Sequence, residues 1–218
     1  VAILPFLCGC AAQWGCLHPA LPADAPAPPV LWRDPGDIAS RDLFWGAGHS
    51  TRAPQGPFTF VEEDTSGTNP KISVKDARGE TWDMKFDEEV HAEIAANRLV
   101  WALGYLAEEY YFVREGVVNG ARDLKRAAPF VGPGGAFKDA RFRWRNPSMP
   151  RTEEEWTLQR NPFTGSKELS GLFILMTLVN NWDIEHARNN RVLRVTLPEG
   201  RVERWYLVSN LGAALGRM

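Results

Sequence analysis

Two segments of this chain carry apolar side chains at helical spacing, and nearly all the other regular patterning alternates with period two. The first helical segment, Asp87–Leu106, opens on three acids that suit the positive end of a helix dipole. Ala92, Ala95, Ala96, Leu99 and Leu103 form its stripe. The second, Ser166–Asn180, carries Leu169, Leu172, Phe173, Met176, Leu178 and Val179. Thr152-Glu153-Glu154-Glu155 has the composition of a further helix start. Strands are predicted over Phe58–Glu62, Lys71–Asp76, Thr81–Phe86, Tyr110–Val113, Val117–Val118, Arg191–Thr196 and Arg204–Val208. Helices do not alternate regularly with strands, which predicts an α+β fold rather than a doubly wound one. Residues 31–57 are punctuated by Pro35, Gly36, Gly46, Gly48, Pro54, Gly56 and Pro57 and read mostly as loop.

The formal net charge is −2, so no overall basic field draws nucleic acid. Arg141, Arg143 and Arg145 form a local basic run whose i, i+2 spacing suits one face of a strand, read as a solvated face ahead of an anion site. Cys8, Cys10 and Cys16 are the only cysteines, and all lie in the first sixteen residues. The rest of the chain therefore holds no disulfide framework and no zinc–cysteine site. Leu7-Cys8-Gly9-Cys10 resembles a bacterial lipobox with Cys10 as the acylated residue, and an Ala- and Pro-rich stretch, Leu17–Val30, follows as a tether. That resemblance implies a lipid-anchored domain in the extracytoplasmic bacterial envelope; without the anchor the domain would be cytoplasmic. No other apolar run is long enough to span a bilayer. His18, His49, His91 and His186 form no spaced ligand set, and neither a nucleophile elbow nor a Gly-x4-Gly-Lys-Ser/Thr loop occurs.

Three short stretches carry the chemistry. In Trp82-Asp83-Met84-Lys85-Phe86 the alternation puts Trp82, Met84 and Phe86 on one strand face and Asp83 and Lys85 on the other. A lysine so placed can reach a phosphate oxygen as a point charge. Glu93, or second Glu89, on the next helix can hold it as an ion pair. The same residues also fit a surface lysine beside an acidic helix start. In Asn180-Asn181-Trp182-Asp183, Asp183 can accept a proton from a hydroxyl nucleophile, and Asn189 and Asn190 downstream offer amide oxygens to a hard cation such as magnesium. An Asx-rich turn that ends the helix has an equal claim on these residues. Ser209-Asn210-Leu211-Gly212 follows the last strand. Asn210 can coordinate through a neutral amide, with less Coulomb attraction than a carboxylate would give.

In this order the three stretches resemble the phosphotransfer site of atypical kinases, the superfamily that includes phosphoinositide kinases and HipA-type kinases. More narrowly they are similar to bacterial lipoproteins with Trp-x-x-Lys-Phe, Asn-Asn-Trp-Asp and Asp-Leu-Gly patterns. The resemblance covers roughly residues 31–216. It implies a two-lobed protein-kinase-like fold with a strand-rich first lobe over residues 31–120. A helical second lobe over residues 121–218, truncated after Met218, would complete it, with residues 1–30 as signal and tether. It implies ATP and magnesium as ligands, with an unidentified phosphate acceptor. Lys85 matches the phosphate-binding lysine, Glu93 its helix partner and Asp183 the catalytic aspartate. Asn189 or Asn190 matches the metal-binding asparagine, and Asn210 stands where a metal-binding aspartate is usual. The segment Ser66-Gly67-Thr68-Asn69-Pro70-Lys71, before the hairpin, resembles the short phosphate loop of phosphoinositide kinases, with Ser66, Gly67 and Thr68 as the binding residues. The implied function is a phosphotransferase, or a degenerate pseudokinase that binds nucleotide, tethered to a membrane. The alternative is a non-catalytic extracytoplasmic binding or structural lipoprotein.

Overall fold

A computed structural model describes residues 27–149 and 152–216. In chain order its elements are strands β1 (Pro29–Val30), β2 (Phe58–Asp64), β3 (Lys71–Lys75) and β4 (Thr81–Lys85), helix α1 (Glu89–Ala102), strands β5 (Tyr110–Asn119) and β6 (Ala136–Trp144), helix α2 (Lys167–Leu178), and strands β7 (Arg191–Thr196) and β8 (Val202–Leu207). Strands β2, β3, β4, β6 and β5 close into a barrel in that order. Neighbours run antiparallel except at the closure, where β2 lies parallel to β5 through Phe58 opposite Val118 and Thr59 opposite Asn119. Closure removes both sheet edges and gives the five strands one interior. Phe58, Ile72, Val74, Trp82, Met84, Tyr111, Phe137 and Phe142 fill it.

The period-two reading of β4 holds. Trp82 and Met84 point into the barrel, while Asp83 and Lys85 point outward into a cleft. A second core lies outside the barrel. Ala96 and Val100 of α1 and Leu172, Leu175 and Met176 of α2 meet Val192, Tyr206 and Val208 there. Strand β8 carries this core with β7 antiparallel on one side and β1 parallel on the other. The chain wall between barrel and sheet is stitched by an isolated parallel bridge from Ala107 to Val208. Helix α2 begins where Ser166 accepts the backbone N–H of Leu169 at 3.1 Å, a side-chain cap for one of its orphan donors.

The expected two-lobed kinase-like fold with a helical second lobe is not found. The described residues form an α+β structure built on a closed five-stranded barrel, with α1 and α2 as their only α-helices. In place of a helical second lobe, residues 121–216 supply one barrel strand, one helix and a hairpin. The helix expected from Thr152 does not form. The Thr152 hydroxyl donates to the Val192 carbonyl, and Glu154 is drawn to Arg204 and the Tyr206 hydroxyl instead. The apolar stripe expected on α1 is also displaced. Leu99 and Leu103 are exposed, and the buried face carries Val90, Glu93, Ala96, Asn97, Arg98 and Val100. Polar residues are buried on that face because each finds a partner. Asn97 donates to the Glu108 carbonyl at 3.0 Å, and Arg98 donates to the Tyr110 carbonyl at 2.8 Å. Cys10 and most of the Ala- and Pro-rich tether lie outside the described residues.

Candidate functional site

Lys85, the last residue of β4, is 4% exposed. Burying an ammonium is costly unless it is paired, and two carboxylates pair it. Glu89 Oε2 lies 2.8 Å from its Nζ and Glu93 Oε2 lies 3.1 Å away. Glu93 is fully buried and also accepts from Arg141 of β6, with Nε at 3.3 Å and Nη2 at 3.4 Å. Burial alone would raise the Glu93 carboxyl; the Arg141 and Lys85 charges outweigh it and hold the group at about 2. The sequence reading of a lysine tied to the next helix thus describes this contact, with both acids engaged.

The basic run on β6 is not a solvated face. Arg141 pairs with Glu93, Arg143 with Asp83, and Arg145 with Asp83 at 2.6 Å. Arg143 also approaches Glu108, which in turn pairs with Arg191 at 3.3 Å and accepts from the Ser209 hydroxyl at 3.2 Å. Alternate residues of one strand therefore form a charged wall along the cleft. The i, i+2 spacing was visible in the sequence; the acids that face it lie on other elements.

The turn between β2 and β3 forms the cleft's rim. Gly67 sits there at φ +71°, which a residue with a Cβ rarely adopts. Asp64 accepts the backbone N–H of Ser66 at 2.8 Å and pairs with Lys71 at 2.9 Å. Arg126, from the β5–β6 connection, donates to the carbonyls of Thr65 and Gly67. Asn69 donates to Glu89 Oε2 at 2.7 Å, so the turn is joined to the lysine's own partner.

Asp183 opens a short 3-10 turn below α2, where its N–H donates to Asn181 Oδ1 at 2.9 Å. Asn189 donates to the Asp183 carbonyl at 3.3 Å, and Asn210 Nδ2 donates to Asp183 Oδ2 at 3.1 Å. Burial raises the Asp183 carboxyl most; His186 and Lys85 pull it down, Glu89 and Glu93 push it up, and the net shift is upward. Asn210 stands at φ +50°, and the buried Leu211 and Ala214 anchor the turn it begins.

Lys85, Glu89, Glu93, Asp183, Asn189, Asn210 and the Ser66–Thr68 turn line one cavity of about 470 Å³. Asn190 does not line it. Its side chain is fully buried and donates to the carbonyls of Trp156 at 2.9 Å and Ile184 at 2.7 Å, so it braces the chain behind Asp183. A second cavity of about 530 Å³ is lined by Trp144, Met149, Leu193, Trp205 and Leu207. It shares Asp64, Asp83, Arg143 and Arg191 with the first. Sequence reasoning missed Glu108 and this apolar neighbour, and it took Arg143 for part of a solvated face.

Among the described residues no three His, Cys, Asp or Glu side chains group so as to hold a metal ion. Asp183 with the amide oxygens of Asn189 and Asn210 supplies hard donors but one formal charge. That set fits magnesium brought in by phosphate, which commonly keeps one or two carboxylates plus phosphate oxygens and water, and not a self-sufficient metal cage. No helix of the described residues is long and apolar enough to cross a membrane. No protein-family model, curated protein or solved structure matches the chain.

Proposed function

We propose that the charged cavity lined by Lys85 and Asp183 binds a nucleoside triphosphate with magnesium and transfers its terminal phosphoryl group to a hydroxyl acceptor. The observation that carries this reading is the buried Lys85–Glu93 pair opening onto the same cavity as Asp183, Asn189 and Asn210. Phosphoryl transfer asks little covalent chemistry of a protein; it asks for cations and oxygen ligands set around the phosphates. Six cationic side chains (Lys71, Lys85, Arg141, Arg143, Arg188, Arg191) line the cavity against five anionic ones (Asp64, Asp83, Glu89, Glu93, Asp183). The reading keeps the chemistry of the kinase resemblance and does not rest on a kinase fold.

In this scheme Lys85 holds a phosphate oxygen, fixed in place by Glu93, and the Ser66–Thr68 turn covers the phosphates. Asp183, with its carboxyl raised, takes the acceptor's hydroxyl proton as the acceptor oxygen bonds to the terminal phosphorus and the bond to the nucleoside diphosphate breaks. Asn210 and Asn189 orient Asp183 and offer amide oxygens to magnesium, which when bound would neutralise phosphate charge. A specific feature also supports a second reading, a site that binds nucleotide without turnover: the neutral amide at 210 weakens that neutralisation.

Calorimetric titration with ATP and magnesium tests both readings. Saturable binding that Lys85→Ala weakens at least roughly tenfold is expected, since a phosphate-contacting cation is lost. ADP formation that Asp183→Asn abolishes while binding persists marks transfer. Binding without ADP formation by the native chain marks the second reading. No binding by the folded native chain would overturn both.

A further inference from the structure

Glu89 joins Lys85, the turn between β2 and β3, and the space beside Gly212. Its Oε2 accepts from Lys85 at 2.8 Å and from Asn69, in the phosphate turn, at 2.7 Å. A Cβ added at Gly212 would lie 2.1 Å from that same oxygen, so the glycine after Asn210 leaves the space this carboxylate occupies. Lys85 does not need Glu89 to be neutralised, because the fully buried Glu93 already pairs with it and is shared with Arg141. The two acids differ in position. Glu93 has no exposed surface, whereas the Glu89 side chain is 23% exposed and faces the cavity from the first residue of α1.

We propose that Glu89 is a specificity residue: it makes the cavity accept a triphosphate complexed to a divalent cation and reject the free anion. This rests on the triphosphate reading given above and names the form of the ligand. Within this contact group Lys85 and Arg141 balance Glu89 and Glu93, so no surplus positive charge awaits an anion. A free triphosphate at Lys85 meets a carboxylate on the same ammonium, and like charges at contact distance in a half-buried site repel strongly. A divalent cation carried in with the phosphates would reverse the sign of that interaction. The same carboxylate then favours the ligand it would otherwise repel. Its hydrogen bond from Asn69 makes the phosphate turn follow it.

The test is the ratio of ATP affinities measured by calorimetry with magnesium and with a metal chelator. The native chain should bind the magnesium complex much the more tightly. Glu89→Gln keeps the shape and removes the charge; it should tighten metal-free ATP roughly tenfold and lower the ratio by at least that factor. Glu88→Gln, which removes an equal charge one residue away, should leave the ratio as it is. Gly212→Ala, which crowds the Oε2 position without changing charge, should lower the ratio in the same direction and serves if Glu89→Gln melts early. An unchanged ratio in a folded Glu89→Gln or Gly212→Ala protein that binds ATP would overturn the inference and leave the triphosphate reading standing. Failure of the native chain to bind ATP in either form would overturn that reading and this inference with it.

Discussion

Asn210 donates its side-chain amide to the Asp183 carboxylate at 3.1 Å, joining the turn after β8 to the turn after α2. The contact satisfies a carboxylate that burial has raised, and it does so with a neutral partner that leaves the charge in place. A cation would pair with Asp183 more strongly than an amide does, and a second carboxylate at 210 would attract a cation more strongly still. On the proposed magnesium reading, the pair would set a balance between keeping the metal-free site folded and holding a divalent ion.

Asn210→Asp tests that balance. Without metal, two carboxylates would face each other within hydrogen-bond distance, and the protein should melt lower than the native chain. Magnesium with ATP should then raise the melting temperature by more than it raises that of the native chain. Thermal melts with and without magnesium measure both effects. An identical metal response in the two proteins would mean that residue 210 does not face the cation.

Glu93 and Lys85 should differ in what their removal costs. Glu93→Ala leaves the buried Lys85 and Arg141 without their shared acid, a loss of roughly 3–5 kcal/mol for breaking a buried pair from one side. Lys85→Ala leaves Glu93 with Arg141 and Glu89 with Asn69, so a loss of about 1–2 kcal/mol is expected. Urea denaturation of the two variants gives the order directly. The reverse order would mean that Arg141 does not hold Glu93.

Parts of this site were legible in the sequence because they depend on neighbours along the chain. The alternation Trp82-Asp83-Met84-Lys85 separates the barrel face from the cleft face whatever the sheet's partners are, and Glu89 and Glu93 lie within eight residues of the lysine. The barrel was not legible. Closure depends on β6 entering between β4 and β5 and on two residue pairs between β2 and β5, and no periodicity encodes either. The buried face of α1 was misread for the same reason. Asn97 and Arg98 look like solvent residues until the Glu108 and Tyr110 carbonyls are brought to them. Asn189 and Asn190 are the same residue type side by side, and only the turn decides which one faces the cavity and which supports Trp156.

Acid should reach the two carboxylates in opposite senses. Glu93 is held at about 2, below its ordinary 4.5, so its ionised form stabilises the fold above pH 4.5, and that contribution is lost as pH falls toward 2. Glu93→Gln mimics the protonated acid, so its deficit against the native chain should be full at pH 7 and shrink between about pH 4.5 and 2. Asp183 is raised above its ordinary 3.8, so its charge costs stability at neutral pH, and the cost vanishes once both folded and unfolded forms are protonated. Asp183→Asn should therefore melt higher than the native chain at pH 7 and lose that advantage below pH 3.8. Melts across this range check both signs.

Arg126 holds the turn between β2 and β3 from outside. It donates to the Thr65 and Gly67 carbonyls, while its own backbone N–H and those of Lys125 and Ala127 donate to Glu63 of β2. The β5–β6 connection is thus clamped to the barrel, and the guanidinium reaches from that clamp to the turn that borders the cavity. Arg126→Ala removes hydrogen bonds to two carbonyls in a half-exposed place, so the fold should lose no more than about 1 kcal/mol. The turn, however, loses what fixes its path, and on the proposed triphosphate reading that path crosses the phosphates. ATP affinity measured with magnesium should fall by a factor of roughly three to ten. Arg126→Lys keeps the charge but not the two-carbonyl reach and should recover little of it. Full recovery by lysine would mean that Arg126 acts on the ligand through its charge rather than by holding the turn.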